Sequence, residues 1–481
     1  MWLVLWLACA KSADLETVAS ENIIINETAQ HFWSQQTEWS GEVQLPKSQV
    51  LGHTVHFAVV DGTLTATMDI PMQNAMGLPL SEIVATENTL RFVLKPPKAP
   101  KFAWAYYQFS KQESGEWVGT LTQVKKTFPA TLNPGKANAL ERPQTPKSPF
   151  LYRVEEVTVP LAEEDASLAG TLTLPSADFG KPSDGWPAVV LITGSGPQDR
   201  DETIFAHKPF AVIADHLAKQ GIASIRVDDR GVGGSTGARD DLTTVDFASD
   251  IQQVVAFIRT NPEIDPSRVG LVGHSEGGLI AAIVAAEDTV GFVVSLAGTG
   301  VNGLEVLITQ NLDMLQVSDP EQRILFRTIY SQAIQSPIDS DDEREAVTQV
   351  VNFQAKYSKQ ELDTEMLNAS LQQFQMIKQT PWFQTFLTLE PRTYWSKVQE
   401  PTLILNGDKD VQVAAIVNTQ AISSALPTDT PSQVQILEGA NHLFQQASTG
   451  QIAEYATISQ TIDPEVLSLI AQWILGLERT E

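Results

Sequence analysis

A serine bracketed by glycines, Gly273-His274-Ser275-Glu276-Gly277, separates a short β-prone run, Arg268-Val269-Gly270-Leu271-Val272, from an almost wholly aliphatic one, Leu279 to Ala286. Strand, five-residue turn and buried helix in direct succession leave the backbone few options. The turn has to be tight, so the residues beside its apex must be small. A serine at that apex presents its hydroxyl beyond the strand end, where a nucleophile is useful. A glycine-rich turn with an incidental serine has the same five letters. The distinction rests on whether an acid and then a histidine follow in chain order.

Both do. Pro401-Thr402-Leu403-Ile404-Leu405-Asn406 reads as a buried strand and runs into Gly407-Asp408-Lys409-Asp410-Val411-Gln412-Val413. Val434-Gln435-Ile436-Leu437 reads as another strand, followed by Glu438-Gly439-Ala440-Asn441-His442. Of the seven histidines only His442 follows Asp410, so chain order singles it out as the base. An aspartate at a strand tip can reach a histidine on the next loop and hold its tautomer. Asp410, three residues past the turn glycine, is favoured over its rival Asp408, with a solvated turn as the plain alternative for Asp410. His274 follows the strand register and is expected to pack under the turn rather than act as base.

These residues resemble the α/β-hydrolase superfamily. Trp186-Pro187-Ala188-Val189-Val190-Leu191-Ile192 reads as a central strand ending in Thr193-Gly194-Ser195-Gly196-Pro197-Gln198-Asp199-Arg200-Asp201. The resemblance implies an α/β fold, a mostly parallel eight-stranded sheet under a helical cap. It also implies an oxyanion hole built from the backbone N–H groups of Ser195 and Glu276, with neither cofactor nor metal. Asp228-Asp229-Arg230-Gly231-Val232-Gly233-Gly234-Ser235 is similar to the family's D-x-R-G-x-G-x-S turn and is expected to be scaffold. More closely, the chain resembles bacterial exported esterases that carry an all-β domain ahead of the hydrolase core. Trp39-Ser40-Gly41-Glu42, the run Gly62 to Gln73, Gly77-Leu78-Pro79 and Gly115-Glu116-Trp117 carry that likeness at one end. Trp382-Phe383-Gln384 (cap exit) and Asp410-Val411-Gln412-Val413 (acid loop) carry it at the other. Met72, where that group usually has an acid, and Met76 depart from it. The resemblance covers residues 39 to 478 and implies a serine esterase for small-molecule, short-chain carboxylic esters. A serine peptidase on the same fold and a non-catalytic binding protein are the alternatives.

The rest of the chain fits several units. Its 481 residues exceed one ordinary core. With 32 Lys and Arg against 58 Asp and Glu, a net charge of −26 opposes nucleic acid and anionic membranes as partners. Cys9 is the only cysteine, which excludes a disulfide framework and a cysteine zinc cluster. Residues 1–10 are apolar and end in Ala8-Cys9-Ala10, a short signal-like segment without a basic start and without the length of a membrane span. Export to the periplasm or beyond is expected from it, with lipidation at Cys9 as a variant.

Residues 30–130 alternate short β-prone runs with turns, as in an antiparallel barrel or sandwich whose aromatics fill its core. The proline-rich stretch 131–150 reads as a linker. Residues 151–300 and 392–481 read as the hydrolase core. It opens on a hairpin, Val154 to Val159 and Leu168 to Leu174, and has helices over Ile204 to Gln220, Thr244 to Thr260 and Ala414 to Leu426. Residues 301–391 read as the cap, with helices over Val306 to Gln316 and Glu361 to Ile377. Met314, Phe374, Met376, Trp382 and Phe386 are its candidate wall residues. Gly298-Thr299-Gly300-Val301-Asn302-Gly303 matches a dinucleotide fingerprint, but no βαβ unit follows. Those glycines are expected to release the chain into the cap.

Overall fold

The computed structural model describes residues 27–45, 49–60, 63–70, 75–95, 101–123, 125–135, 142–163, 165–359 and 361–477. The signal-like segment, Cys9 and Met72 lie outside them. The chain forms two compact units, one of residues up to Glu141 with Ile204–Ala206, the other of Arg142–Thr203 with His207–Glu481.

In the first unit helix α1 (Glu27–Gln35) precedes eight strands: β1 (Glu38–Leu45), β2 (Gln49–Val60), β3 (Thr63–Ile70), β4 (Ala75–Ala85), β5 (Thr89–Leu94), β6 (Ala105–Lys111), β7 (Trp117–Gln123) and β8 (Lys126–Pro134). Each pairs with the next, and β8 returns to β1 with Val43 opposite Ala130 and Trp39 opposite Pro134. The result is a closed antiparallel barrel, not a sandwich, and its last strand extends into the stretch read as linker. Buried residues alternate along the strands, as in β1, so one face of each strand points inward. An eight-stranded barrel is just wide enough for side chains to fill. Here Trp33 of α1 sits among Trp39, Phe57 and Trp117 with ring centroids 4.7, 4.9 and 5.0 Å away. His53 also lies inside, opposite Gly41. Neither of its ring nitrogens makes a well-formed hydrogen bond. Burial, only partly offset by the Leu51 backbone, lowers its pKa to about 4.

The second unit is built on β9 (Arg153–Pro160), β10 (Ser167–Leu174), β11 (Trp186–Ile192), β12 (Ala223–Val227), β13 (Ile264–His274), β14 (Val293–Leu296), β15 (Thr402–Gly407) and β16 (Ser432–Leu437). Their order is β16-β15-β14-β13-β11-β12-β10-β9. β11 to β16 run parallel, while β9 and β10 form an antiparallel edge. β11, β14 and β15 are buried at every position, the pattern of strands covered on both faces. The covering helices include α2 (Pro209–Lys219), α3 (Thr244–Arg259) and α4 (Glu276–Ala285). α2 starts at Pro209 instead of Ile204 because Phe205 and Ala206 take φ of 50° and 63°, outside the helical region. Pro209 then fits the first turn, where its missing N–H costs nothing.

Between β14 and β15 five helices form the cap: α5 (Gly303–Met314), α6 (Pro320–Gln335), α7 (Asp341–Ser358), α8 (Thr364–Lys378) and α9 (Pro381–Thr388). Asn302, Asp319, Ser340, Asp363 and Thr380 cap their amino ends by accepting backbone N–H groups. The cap core contains an ion pair: Lys378 donates to Glu343 at 2.7 Å and to the Ala333 and Ser336 carbonyls at 2.9 and 2.6 Å. Helices α10 (Pro391–Trp395), α11 (Ala415–Ala425) and α12 (Pro464–Gly476), with a single helical turn at Ile452–Tyr455, complete the unit. From Arg142 onward the proline-rich stretch is anchored here. Arg142 donates to the Ile458 and Ala456 carbonyls at 2.9 and 3.0 Å, and Gln144 donates to the Ile462 carbonyl at 2.7 Å.

Candidate active site

β13 ends at His274 and α4 begins at Glu276, which leaves Ser275 alone at the turn with φ 55° and ψ −120°. A non-glycine residue held there is strained and persists only where its surroundings fix it. They do so through glycine. A Cβ on Gly273 would come within 2.0 Å of the Gly277 carbonyl oxygen, and one on Gly277 within 2.3 Å of the Ile192 oxygen. The Ser275 N–H donates to the Leu296 carbonyl at 2.9 Å, tying the turn to β14.

Asp410 follows β15. Its Oδ1 accepts the Gln412 and Val413 N–H groups at 2.8 and 2.9 Å, and its Oδ2 lies 2.7 Å from His442 Nδ1. With Nδ1–H donating to that carboxylate, Nε2 of His442 carries the free lone pair. Asp408 accepts the Gly439 N–H at 2.7 Å instead, a turn contact in an exposed loop. His274, next to Ser275, donates from Nε2 to the His442 carbonyl at 3.0 Å, with ring centroids 4.7 Å apart. The structure therefore joins Asp410 to His442 directly, and sets the residue preceding Ser275 against the His442 loop.

The loop after β11 lies on the elbow: a Cβ on Gly194 would come 3.2 Å from Ser275 Cβ. Gly194 N–H donates to Glu202 Oε1 at 2.8 Å, and the next residue, Ser195, is exposed. Ser195 and Glu276 line a common cavity of about 30 Å³, room for a water rather than an acyl group. Asp228 and Asp229 hold this loop in place. Asp228 accepts Arg200 Nε and Nη2 at 3.1 and 2.8 Å and the Gly234 N–H at 3.0 Å. Asp229 accepts Thr193 Oγ1 at 2.8 Å and the Gln198 N–H at 2.9 Å. Burial pushes Asp229 up to about 6 against the Arg239 charge and these donors.

The Glu276 side chain is buried and accepts Thr244 Oγ1 at 2.6 Å and Trp382 Nε1 at 2.9 Å. Burial raises its pKa in spite of both donors. Trp382 is thus the wall candidate that touches the elbow, stacked on Phe386 at 5.3 Å. Phe374 packs on the cap core, Met376 is 43% exposed, and Met314 is half-buried at the end of α5. Gly300 and Gly303 serve packing at the cap entrance, where added Cβ atoms would come 2.4 Å from the Asn418 and Phe386 carbonyl oxygens. Glu202 and Asp229 were not singled out as site residues by the sequence; the acid-rich run Asp199 to Glu202 right after the loop was the available signal. Among the described residues no His, Cys, Asp and Glu cluster could hold a metal ion, and no helix is long and apolar enough to cross a membrane.

The sheet order, the strained serine between strand and helix, and the cap inserted before the acid-bearing strand define an α/β hydrolase. The chain is a member of the α/β-hydrolase superfamily. Within it, residues 207–446 match the family described as serine aminopeptidase S33. Esterase EstD of Thermotoga maritima is 23% identical over 312 residues, which span 64% of this chain and 65% of that relative. The Pyrococcus furiosus esterase Pf2001 superposes with a TM-score of 0.41 at 16% identity, over 67% of this chain and 91% of that one. Est1E of Butyrivibrio proteoclasticus, solved with ferulic acid bound, gives 0.38 at 17% identity over 66% and 96%.

Proposed function

We propose that the chain is a serine hydrolase that cleaves small carboxylic esters, with short acyl groups, through an acyl-Ser275 intermediate. The observation that carries this reading is Asp410 Oδ2 at 2.7 Å from His442 Nδ1, with the His442 carbonyl accepting Nε2–H of His274, the residue before the strained Ser275. Ser275 Oγ attacks the carbonyl carbon while His442 Nε2 takes its proton. Asp410 accepts the Nδ1–H bond and stabilises the imidazolium. The Ser195 and Glu276 N–H groups bind the oxygen on which charge develops. His442 returns the proton to the departing alkoxide, and a water activated by the same nitrogen releases the acid and restores Ser275.

The family description names an aminopeptidase, and peptide hydrolysis is the second reading. An enzyme acting from a free amine needs a carboxylate aimed at that cation. Glu343 of the cap is instead paired with Lys378 inside the cap core, and Glu276 already accepts Thr244 and Trp382. Both facts favour esters. Side-by-side kcat/KM values for p-nitrophenyl acetate, p-nitrophenyl butyrate and aminoacyl p-nitroanilides test the choice. Esters are expected to be turned over far faster; a higher value for any amide substrate overturns the ester reading.

A further inference from the structure

The proposed mechanism uses Asp410 and His442 and leaves a second buried acid–histidine pair beneath them. Glu202 Oε1 lies 2.9 Å from His274 Nδ1, and the same oxygen accepts the Gly194 N–H at 2.8 Å. On its other side the His274 ring meets the His442 carbonyl through Nε2 at 3.0 Å. A carbonyl oxygen can only accept, so Nε2 carries a proton. A carboxylate that already accepts one N–H is met best by a second, so Nδ1 carries one too. The ring is then an imidazolium, charge-paired with Glu202 in a space both share with almost no solvent: the two residues are 7% and 5% exposed.

Three segments meet at this pair. Glu202 fixes Gly194, the residue before the proposed oxyanion donor Ser195. His274 is covalently the neighbour of Ser275. Its Nε2–H fixes the backbone of His442, the proposed base. Glu202 itself adopts φ 52°, a left-handed conformation that Phe205 and Ala206 share three and four residues on.

We propose that Glu202 and His274 act as a positioning pair, a buried ion pair that sets the oxyanion loop, the nucleophile turn and the base loop in register. This rests on the hydrolase reading and touches no reacting atom. The titratable groups packed around the His274 ring are Glu202, Asp410 and His442. Burial alone would lower the His274 pKa; the charge and hydrogen bond of Glu202, then the His442 carbonyl and the Asp410 charge, outweigh it and hold the ring above the ordinary histidine range. Loss of the His274 proton at alkaline pH leaves a ring nitrogen lone pair facing an oxygen, and the register loosens.

Displacement of reacting groups by about 1 Å costs on the order of 10²-fold in rate. In the full-length enzyme Glu202→Gln is therefore expected to lower kcat for p-nitrophenyl acetate by about 10²-fold with little change in KM. It should also move the alkaline fall in activity to lower pH, since the charge that retains the His274 proton is gone. His274→Gln should give a similar loss, and the double variant should be no worse than either single one, because a broken pair can be broken only once. All rates are taken per active site, counted by fluorophosphonate labelling of Ser275. The ¹⁵N resonances of the wild-type His274 ring, which need no folded variant, should show both nitrogens protonated at neutral pH. A neutral ring, or additive losses with an unshifted alkaline limb, overturns the pair as a positioning device and leaves the hydrolase reading standing. Failure of the wild type to label at Ser275 overturns the reading itself, and the pair's proposed role with it.

Discussion

His53 in the barrel and His274 under the nucleophile turn are both buried, at 1% and 7% exposure, yet they titrate in opposite directions. Burial lowers His53 to about 4, whereas Glu202 and its neighbours hold His274 above the usual range against the same desolvation. The barrel interior meets His53 with the Leu51 backbone and the Tyr107 ring, centroids 5.6 Å apart, and desolvation prevails, so the ring is a neutral filler of volume. In the hydrolase unit the two histidines beside the nucleophile turn meet carboxylates, Glu202 for His274 and Asp410 for His442, whereas His207, buried away from a carboxylate partner, is lowered to about 4 as His53 is. Bringing charge indoors is costly unless it is paired. A core that does so repeatedly beside one strained serine is organised for chemistry, and a core that avoids it is organised for packing.

The sharpest way to break that contrast is at the serine. Ser275→Ala is expected to lower ester turnover by a factor on the order of 10⁴ to 10⁶ while circular dichroism stays unchanged. Retained turnover would remove the chemical meaning of the whole buried network. Asp410→Asn comes next, with a loss of roughly 10⁴-fold, because an amide cannot hold the His442 tautomer as the carboxylate does. Asp408→Asn should do far less, since its partner is only the Gly439 N–H. A larger loss at Asp408 reverses the assignment of the acid.

The cap sharpens the comparison from another side, with a paired buried charge away from the serine. Lys378→Met leaves Glu343 buried and uncompensated and should destabilise the unit by about 3–5 kcal/mol, read as a fall in Tm. No change in Tm would mean that the pair is solvated. The smallest effect belongs to the barrel. Unfolded His53 takes up a proton near pH 6.5, but the folded ring does so only near 4. Its contribution to stability is whole above pH 6.5 and is lost as the pH falls toward 4, by about 3 kcal/mol in all. Urea unfolding followed by tryptophan emission should show that loss, and His53→Leu should reduce it. An unaltered acid dependence in the variant would mean that His53 is not the group responsible.

What the sequence made legible was local or ordered along the chain. The turn at Ser275 could be read because strand, glycines and helix adjoin. The contact of His442 with Asp410 could be read because His442 alone of the histidines follows Asp410. Closure of the barrel could not, since β8 and β1 meet only after all the intervening strands have turned. The contact of Glu202 with His274 joins residues 72 apart, and that of Arg142 with Ile458 joins residues 316 apart, distances over which neither periodicity nor composition carries information. The start of α2 was misplaced for a related reason. Ala206 has the highest helical propensity and Phe205 a middling one, so their left-handed φ does not follow from local preference.

The central claim is that Ser275 is the nucleophile of this fold, and covalent labelling tests it most directly. The full-length protein treated with a fluorophosphonate probe, digested and mapped by mass spectrometry should carry one adduct, on Ser275, formed at the rate at which ester hydrolysis is lost. An adduct on Ser195 or any other residue, or full loss of activity without modification of Ser275, would contradict it.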